Sequence, residues 1–305
     1  MSAPTRWDVL GVGCNSVDYV YRLPASPKAD SPTAKLRISR HDTMCGGQMA
    51  TAMAACAGFG LKTAYFGAAG NDHNGRLVIS ELAGRGVDVA HVLTRDCANR
   101  FAVITVDETS GERIVLWDRD DRLNISRAEI DPGLIGAARL VHVDDEDQEA
   151  AIATALIARQ AGIPVTSDID RITNRTADLV AAVSIPIFAQ HVLPAITGES
   201  NIERALLTLR KSHDGMLCVT LGDAGAMLLV DDELLLEPGL EIKAVDTTGA
   251  GDVFRAAVIY ALLNNYPPRE MLRFANAAAA VSCTRAGAMA GVPALEDVTR
   301  LLTGG

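Results

Sequence analysis

Short apolar runs of four or five residues alternate along the chain with longer stretches whose apolar positions recur at helical spacing. The runs at 9–12, 63–66, 140–143, 164–167, 186–189, 217–221 and 226–230 predict buried strands. Helical patterns fall at 49–58, 74–85, 149–160, 174–182, 203–211, 250–263 and 270–285. Strands alternating with helices predict an α/β protein with a mainly parallel sheet covered on both faces. Two regions break the rhythm. Residues 19–41 and 100–117 read as alternating or turn-rich β segments, with Glu108-Thr109-Ser110-Gly111 as a hairpin turn. They predict a small added sheet. With no internal repeat, low-complexity tract or interdomain linker, one domain is expected over 1–305.

A length of 305 residues, 49% hydrophobic, is enough to bury a sizeable core. The net charge of −10 and the absence of any Lys/Arg run argue against nucleic acid or an acidic membrane as partner, because phosphate binding needs clustered cations. Six cysteines stand in no C-x-x-C pair and no zinc spacing, so they read as free thiols of a reducing cytoplasm. No His pair has metal-ligand spacing. The longest apolar stretch, 179–196, is broken by Pro186, Gln190, His191 and Pro194 and does not read as a bilayer span. The N-terminal residues carry no signal-peptide pattern. A soluble, cytoplasmic protein is expected.

The most informative stretch is Asp246-Thr247-Thr248-Gly249-Ala250-Gly251-Asp252, between a strand-like run at 241–245 and an apolar helix pattern. Small residues at a helix start let backbone amides approach an anion, and the helix dipole adds to the attraction. A carboxylate just after such an anion hole would repel a phosphate. It makes sense as the acceptor of a proton from a hydroxyl that attacks the phosphoryl group. The plainer alternative is an Asp that helps to cap the helix.

This segment resembles the C-terminal signature of the PfkB/ribokinase family of carbohydrate kinases, and other motifs fall in the family's order. Cys45-Gly46-Gly47-Gln48-Met49-Ala50-Thr51-Ala52 is similar to the N-terminal signature, and Asp72-His73-Asn74-Gly75 to the turn after the second strand. Gly11-Val12-Gly13-Cys14-Asn15-Ser16-Val17-Asp18 resembles the opening strand with its sugar-binding Asp. The Gly46/Gly47/Thr51 version is closest to ketohexokinase-like and sulfofructose-kinase-like members.

The resemblance implies a ribokinase-like three-layer αβα fold with a β-sheet lid built from about 14–43 and 98–118. It implies transfer of the γ-phosphoryl group of ATP to a primary hydroxyl of a small sugar. Asp252 would be the base and the backbone of Gly249, Ala250 and Gly251 the anion hole. Asp18, Asn15, Gly46, Gly47 and Thr51 would hold the sugar. Thr220, Gly222, Gly225, Thr248 and Asn276 would line the nucleotide. Mg²⁺ would accompany ATP, with a monovalent cation in some members, and the lid would carry a homodimer contact. Asp18 as a surface-loop residue and Asn276 as a helix-surface residue remain the plainer alternatives.

Two departures stand out. The family's Asn-x-x-Glu motif is missing from Phe188-Ala189-Gln190-His191-Val192-Leu193, so the sequence names no metal ligand. Arg255 stands where small residues are common, facing either outward or the substrate. The acidic strand ends at 144–147 and at Asp168 and Asp170 fit either a crevice or solvated loops. Substrate charge turns on cations. Arg100, Arg119 and Arg255 are the candidates and read as solvent-facing, which favours a neutral ketohexose over an anionic derivative. A nucleoside kinase of the same family and a non-catalytic sugar- or nucleotide-binding regulator remain alternatives. A redox Rossmann enzyme is disfavoured, since no Gly-x-Gly-x-x-Gly follows the first strand.

Overall fold

All seven apolar runs become strands of one sheet. The computed structural model describes residues 5–304. In chain order the first half holds β1 (Trp7–Val12), β2 (Ser16–Leu23), β3 (Arg40–Gly46), α1 (Gln48–Gly58), β4 (Thr63–Phe66), β5 (Ala68–Gly70), α2 (His73–Gly84), β6 (Leu93–Arg95), β7 (Phe101–Asp107) and β8 (Arg113–Asp118). Then follow α3 (Pro132–Gly136), β9 (Ala138–Val143), α4 (Gln148–Gln160), β10 (Val165–Ile169), α5 (Thr176–Ala182), β11 (Ile185–Ala189), α6 (Val192–Thr197) and α7 (Ile202–Arg210). The chain closes with β12 (Leu217–Thr220), β13 (Ala226–Val230), β14 (Glu233–Glu237), α8 (Ala250–Leu263), α9 (Pro268–Cys283) and α10 (Leu295–Thr303).

The main sheet runs β14-β13-β12-β11-β10-β9-β1-β4. It is parallel from β12 to β4 and antiparallel at β13 and β14. Helices α3 to α7 pack on one face and α1, α2, α8, α9 and α10 on the other, each with its own apolar cluster. Successive residues of β1 serve both: Leu10 and Val12 join the first cluster and Val9 the second. A strand buried on both faces needs no polar alternation, which is why these strands read as plain apolar runs.

The two irregular regions form a separate four-stranded sheet, β3-β2-β7-β8, in which only β2 and β7 are parallel. The carboxylate of Asp107 closes the turn between β7 and β8 by accepting the N–H groups of Thr109 and Ser110.

Three differences from the sequence reading have physical reasons. The run at 241–245 is not a strand, because β14 already occupies the sheet edge beside β13. The N–H groups of Val245 and Asp246 instead donate to the Cys283 carbonyl (2.8 and 3.2 Å). β14 itself goes unread, since Glu233 and Glu237 bracket a run too short to signal. β10 extends past Ser167 through a buried Asp168, which pattern alone does not allow and which a distant arginine makes tolerable.

Candidate active site

The parallel strands β1, β9 and β10 end side by side, and the turns beyond them carry Cys14, Asp144 to Glu146, and Asp170. The start of α8 lies against the same region, which is the crevice where open α/β sheets bind ligands.

At that start Gly249 caps α8 in the left-handed conformation (φ +80°), with no side chain capping the first amides. A Cβ on Gly249 would lie 2.8 Å from the Ala288 backbone, so only glycine makes this turn. Asp246 holds the approach. Its carboxylate accepts the N–H and hydroxyl of Thr248 (2.9 and 2.7 Å) and the N–H of Gly287 (2.9 Å). Burial would raise this carboxyl, but those donors outweigh it and keep the group below its ordinary range. The positive end of a 14-residue helix without a side-chain cap favours an anion at this turn.

Asp252 is the third residue of α8. Burial pushes its carboxyl up to about 7, with Asp144 and Asp170 adding to the rise and the Arg255 guanidinium opposing it. Asp168 is near enough to share a hydrogen bond with Asp252 when one of the two is protonated, and its own carboxyl is raised well above the carboxylate range by burial. Arg255 is not outward-facing. It is 4% exposed, and its Nη2 lies 2.6 Å from Asp168 Oδ1. Its Nη1 lies where a side chain on Gly251 would begin, 2.5 Å from that Cβ position, so the glycine admits the guanidinium beneath the anion hole. The arrangement is a half-buried Asp252 beside a fully buried Asp168, with one counter-cation.

The inner face of the small sheet forms a facing wall. Asp18, Val20 and Arg22 alternate on β2 and share a pocket of about 260 Å³ with Arg113 of β8, Asp246 and Thr248. Ser16 donates to Asp18 Oδ1 (2.9 Å), and burial raises the Asp18 carboxyl. A Cβ on Gly46 would meet Asp18 Oδ2 at 2.8 Å, and one on Gly47 would meet the Asn15 backbone at 2.6 Å, so both glycines admit the close approach of β2 and the turn before it. Arg113 Nη1 donates to the Thr248 hydroxyl (3.1 Å) and ties the small sheet to the anion-hole turn.

Other residues singled out in the sequence make these contacts within the protein. Asn15 is 3% exposed. Its amide donates to Tyr65 Oη and the Ala68 carbonyl and accepts from Asn99, which leaves nothing for a ligand. Thr51 is wholly buried and packs its methyl toward Gly249. Asn276 is buried and not a helix-surface residue; its amide donates to the Glu237 and Pro238 carbonyls (3.0 and 3.1 Å) and pins β14 to α9. Thr220 ends β12 with its hydroxyl on the Phe188 carbonyl. Gly222 and Gly225 shape the following turn (φ +65° and +98°), where the Gly225 backbone crosses against Glu237.

Arg100 and Arg119 turn inward and not to solvent. Both approach Glu146 (3.8 and 3.7 Å), as does Arg171 (2.8 Å). Of the acidic strand ends, Asp144, Asp145 and Asp168 are each 2% exposed or less, Glu146 and Asp147 are half-buried, and Asp170 is exposed. Burial, with Asp145 and Glu146 nearby, lifts Asp144 to about 7. At the position of the missing Asn-x-x-Glu, the His191 ring contacts the Asp170 carbonyl (2.7 Å). Among the described residues no three His, Cys, Asp or Glu side chains form a metal cluster. A Mg²⁺ carried on ATP needs only one or two carboxylates, often through water. Asp145 Oδ1, buried without a hydrogen bond, fits that task, whereas Asp168 Oδ1 is taken by Arg255.

Residues 16–295 match the model of the pfkB family carbohydrate kinases. A curated relative, the ATP-dependent ribose-1-phosphate kinase of Halopiger xanaduensis, is 29% identical over 97% of this chain and 98% of its own. Fructokinase-2 of Zea mays is 26% identical over 84% of each chain. Among solved structures, Arabidopsis thaliana ribokinase complexed with ribose and ATP superposes with a TM-score of 0.83 at 25% identity, covering 99% of both chains.

Proposed function

The chain belongs to the pfkB family of carbohydrate kinases, and from that membership we propose that it moves the γ-phosphoryl group of ATP to a primary hydroxyl of a ketohexose or a related small sugar, with Asp252 as the base. The observation that carries this reading is the carboxylate one turn inside an uncapped, glycine-turned helix start. The sugar oxygen attacks the γ-phosphorus, the bond to the β–γ bridging oxygen breaks, ADP leaves, and the hydroxyl proton passes to Asp252. Amides at 249–251 receive the charge that builds on the phosphoryl oxygens. Asp145 would hold the ion that travels with ATP. Mg²⁺, when bound, neutralises charge on the triphosphate. Asp18 and the Gly46 and Gly47 backbone orient the sugar.

The turn at Thr220 to Gly225 and the residue Thr248 serve the nucleotide in this reading. The small sheet acts as a lid that excludes water, which would otherwise compete for the phosphoryl group. Its outer strand β8 exposes Ile114, Val115, Leu116 and Trp117 (48–61%), an edge that a second copy of the chain would cover. Six free thiols suit a reducing compartment, and no helix among the described residues is long and apolar enough to cross a membrane.

The test is ADP release from Mg-ATP across a panel of sugars and nucleosides. Sugar-dependent ADP that Asp252→Asn suppresses supports the proposal. ADP with nucleosides alone would replace it with a nucleoside kinase, and ligand-induced thermal stabilisation without any ADP would replace it with a binding protein.

A further inference from the structure

We propose that the sugar carries an anionic group, a phosphate or sulfonate, which Arg22 and Arg113 of the small sheet bind at the end of the pocket away from Asp18. This rests on the kinase reading above. The three strands that form the wall are in register. Arg22 stands beside Val106, and Val106 beside Arg113, in one row across β2, β7 and β8. Val20, Ile104 and Val115 form the next row, and Asp18, Ala102 and Trp117 the one beyond. The wall therefore offers a carboxylate for hydroxyls at one end, an apolar middle, and two guanidiniums at the other.

Asp18 and Arg22 are four residues apart on β2, or roughly 13 Å of backbone at about 3.3 Å per residue. Arginine side chains lean back over part of that gap. What remains suits one sugar ring with a single charged substituent.

The two arginines differ from the other cations around the crevice. Arg255 is matched by Asp168, and Arg100, Arg119 and Arg171 share Glu146. Among the described residues neither Arg22 nor Arg113 forms an ion pair with a carboxylate within 4.0 Å. Asp246 lies near Arg113, but its oxygens are occupied by Thr248 and Gly287. A neutral sugar would cover the half-buried Arg22 guanidinium and give it no partner, which is costly, while the exposed Arg113 keeps its bond to the Thr248 hydroxyl. An anion repays that loss with charge-assisted, bidentate bonds.

The nucleotide is the competing occupant, because Arg113 donates to Thr248, a residue that the kinase reading gives to the nucleotide. Both arginines project from the face that carries Asp18, on the β1 flank of the main sheet. The expected nucleotide turn at 220–225 follows β12, four strands away from β1. The similarity to a kinase named for ribose 1-phosphate is an independent pointer to the same chemistry.

The experiment compares ribose with ribose 1-phosphate, and fructose with fructose 1-phosphate, as acceptors in the ADP-release assay. The wild type and the R22Q, R113Q and double variants are assayed with each. A phosphorylated sugar should be the better substrate of its pair. Each single substitution should raise its KM about ten- to hundredfold, the scale of a lost charged hydrogen bond, while the KM for ATP stays in place. Thermal stabilisation by the sugar phosphate should fall in the double variant, which reports binding independently of turnover. Preference for the neutral sugars would overturn the inference and leave the kinase intact. A rise in the KM for ATP would reassign the arginines to the nucleotide and also overturn it. ADP from none of the four sugars would overturn both readings.

Discussion

Asp252 does its work in a setting that pulls its proton affinity two ways. Desolvation raises its carboxyl to about 7, while Arg255 and the helix start favour the ionised form. Only that form accepts a proton. The free-enzyme kcat/KM should therefore fall as pH drops through about 7, since protonated Asp252 is no base. Asp252→Asn should lower kcat by roughly a hundredfold or more and leave ATP affinity largely intact. Removing the counter-cation with Arg255→Met should move the acid limb to higher pH, because nothing then offsets burial of the carboxylate pair. The same substitution should destabilise the fold by about 3–5 kcal/mol, the cost of leaving a buried charge unpaired. Adding Asp168→Asn should recover most of that stability in a thermal melt. An acid limb unmoved by Arg255→Met would show that Arg255 supports the fold alone.

At the scale of elements, the N-terminus of α8 depends on one backbone conformation. An alanine at Gly249 would pay about 1–2 kcal/mol for a left-handed φ, and its Cβ would press on Ala288. Gly249→Ala should thus raise the KM for ATP and depress kcat, with a smaller loss of thermal stability. Unaltered nucleotide kinetics would remove the turn from the anion site. The small sheet is the second element with a clear expectation. If it closes over the sugar, amide exchange in β2, β3, β7 and β8 should slow when a substrate sugar saturates the enzyme, and exchange in β9 to β12 should change little. Equal exchange with and without sugar would dismiss the lid.

Across the whole molecule, the carboxylates gathered at the strand ends set how stability varies with pH. Asp144 in the folded protein is lifted to about 7 from an ordinary 3.8, mainly by burial. A group raised in this way stabilises the fold below its unfolded value, and that contribution disappears as pH climbs through the folded one. The melting temperature should accordingly fall between about pH 4 and about pH 7. Asp144→Asn should flatten the drop, because an amide keeps a side-chain acceptor for Cys14 N–H without the charge. A slope identical in the variant would place the pH dependence elsewhere in the cluster.

The sequence by itself determined the layered α/β plan, the existence of the small sheet and the glycine-turned helix start after residue 246. These rest on local features: apolar runs of strand length, helical spacing, and glycines beside a carboxylate in a short contiguous motif. Tertiary structure decided which charges face which. Nothing near Arg255 in the sequence announces Asp168, 87 positions earlier, so a buried pair read as a helix-surface residue beside a loop acid. Asn15 and Asn276 looked like ligand groups because an amide serves a sugar, a base or a backbone equally well, and only their neighbours select among these. Arg22 stood within reach of the strand argument, an even number of residues beyond Asp18 and so on the same face. Its place opposite Arg113 needed β7 and β8 in register beside it, since the sheet and not the chain brings two guanidiniums into one row. Patterning is set by distances along the chain, whereas ion pairing and desolvation are set by distances through space.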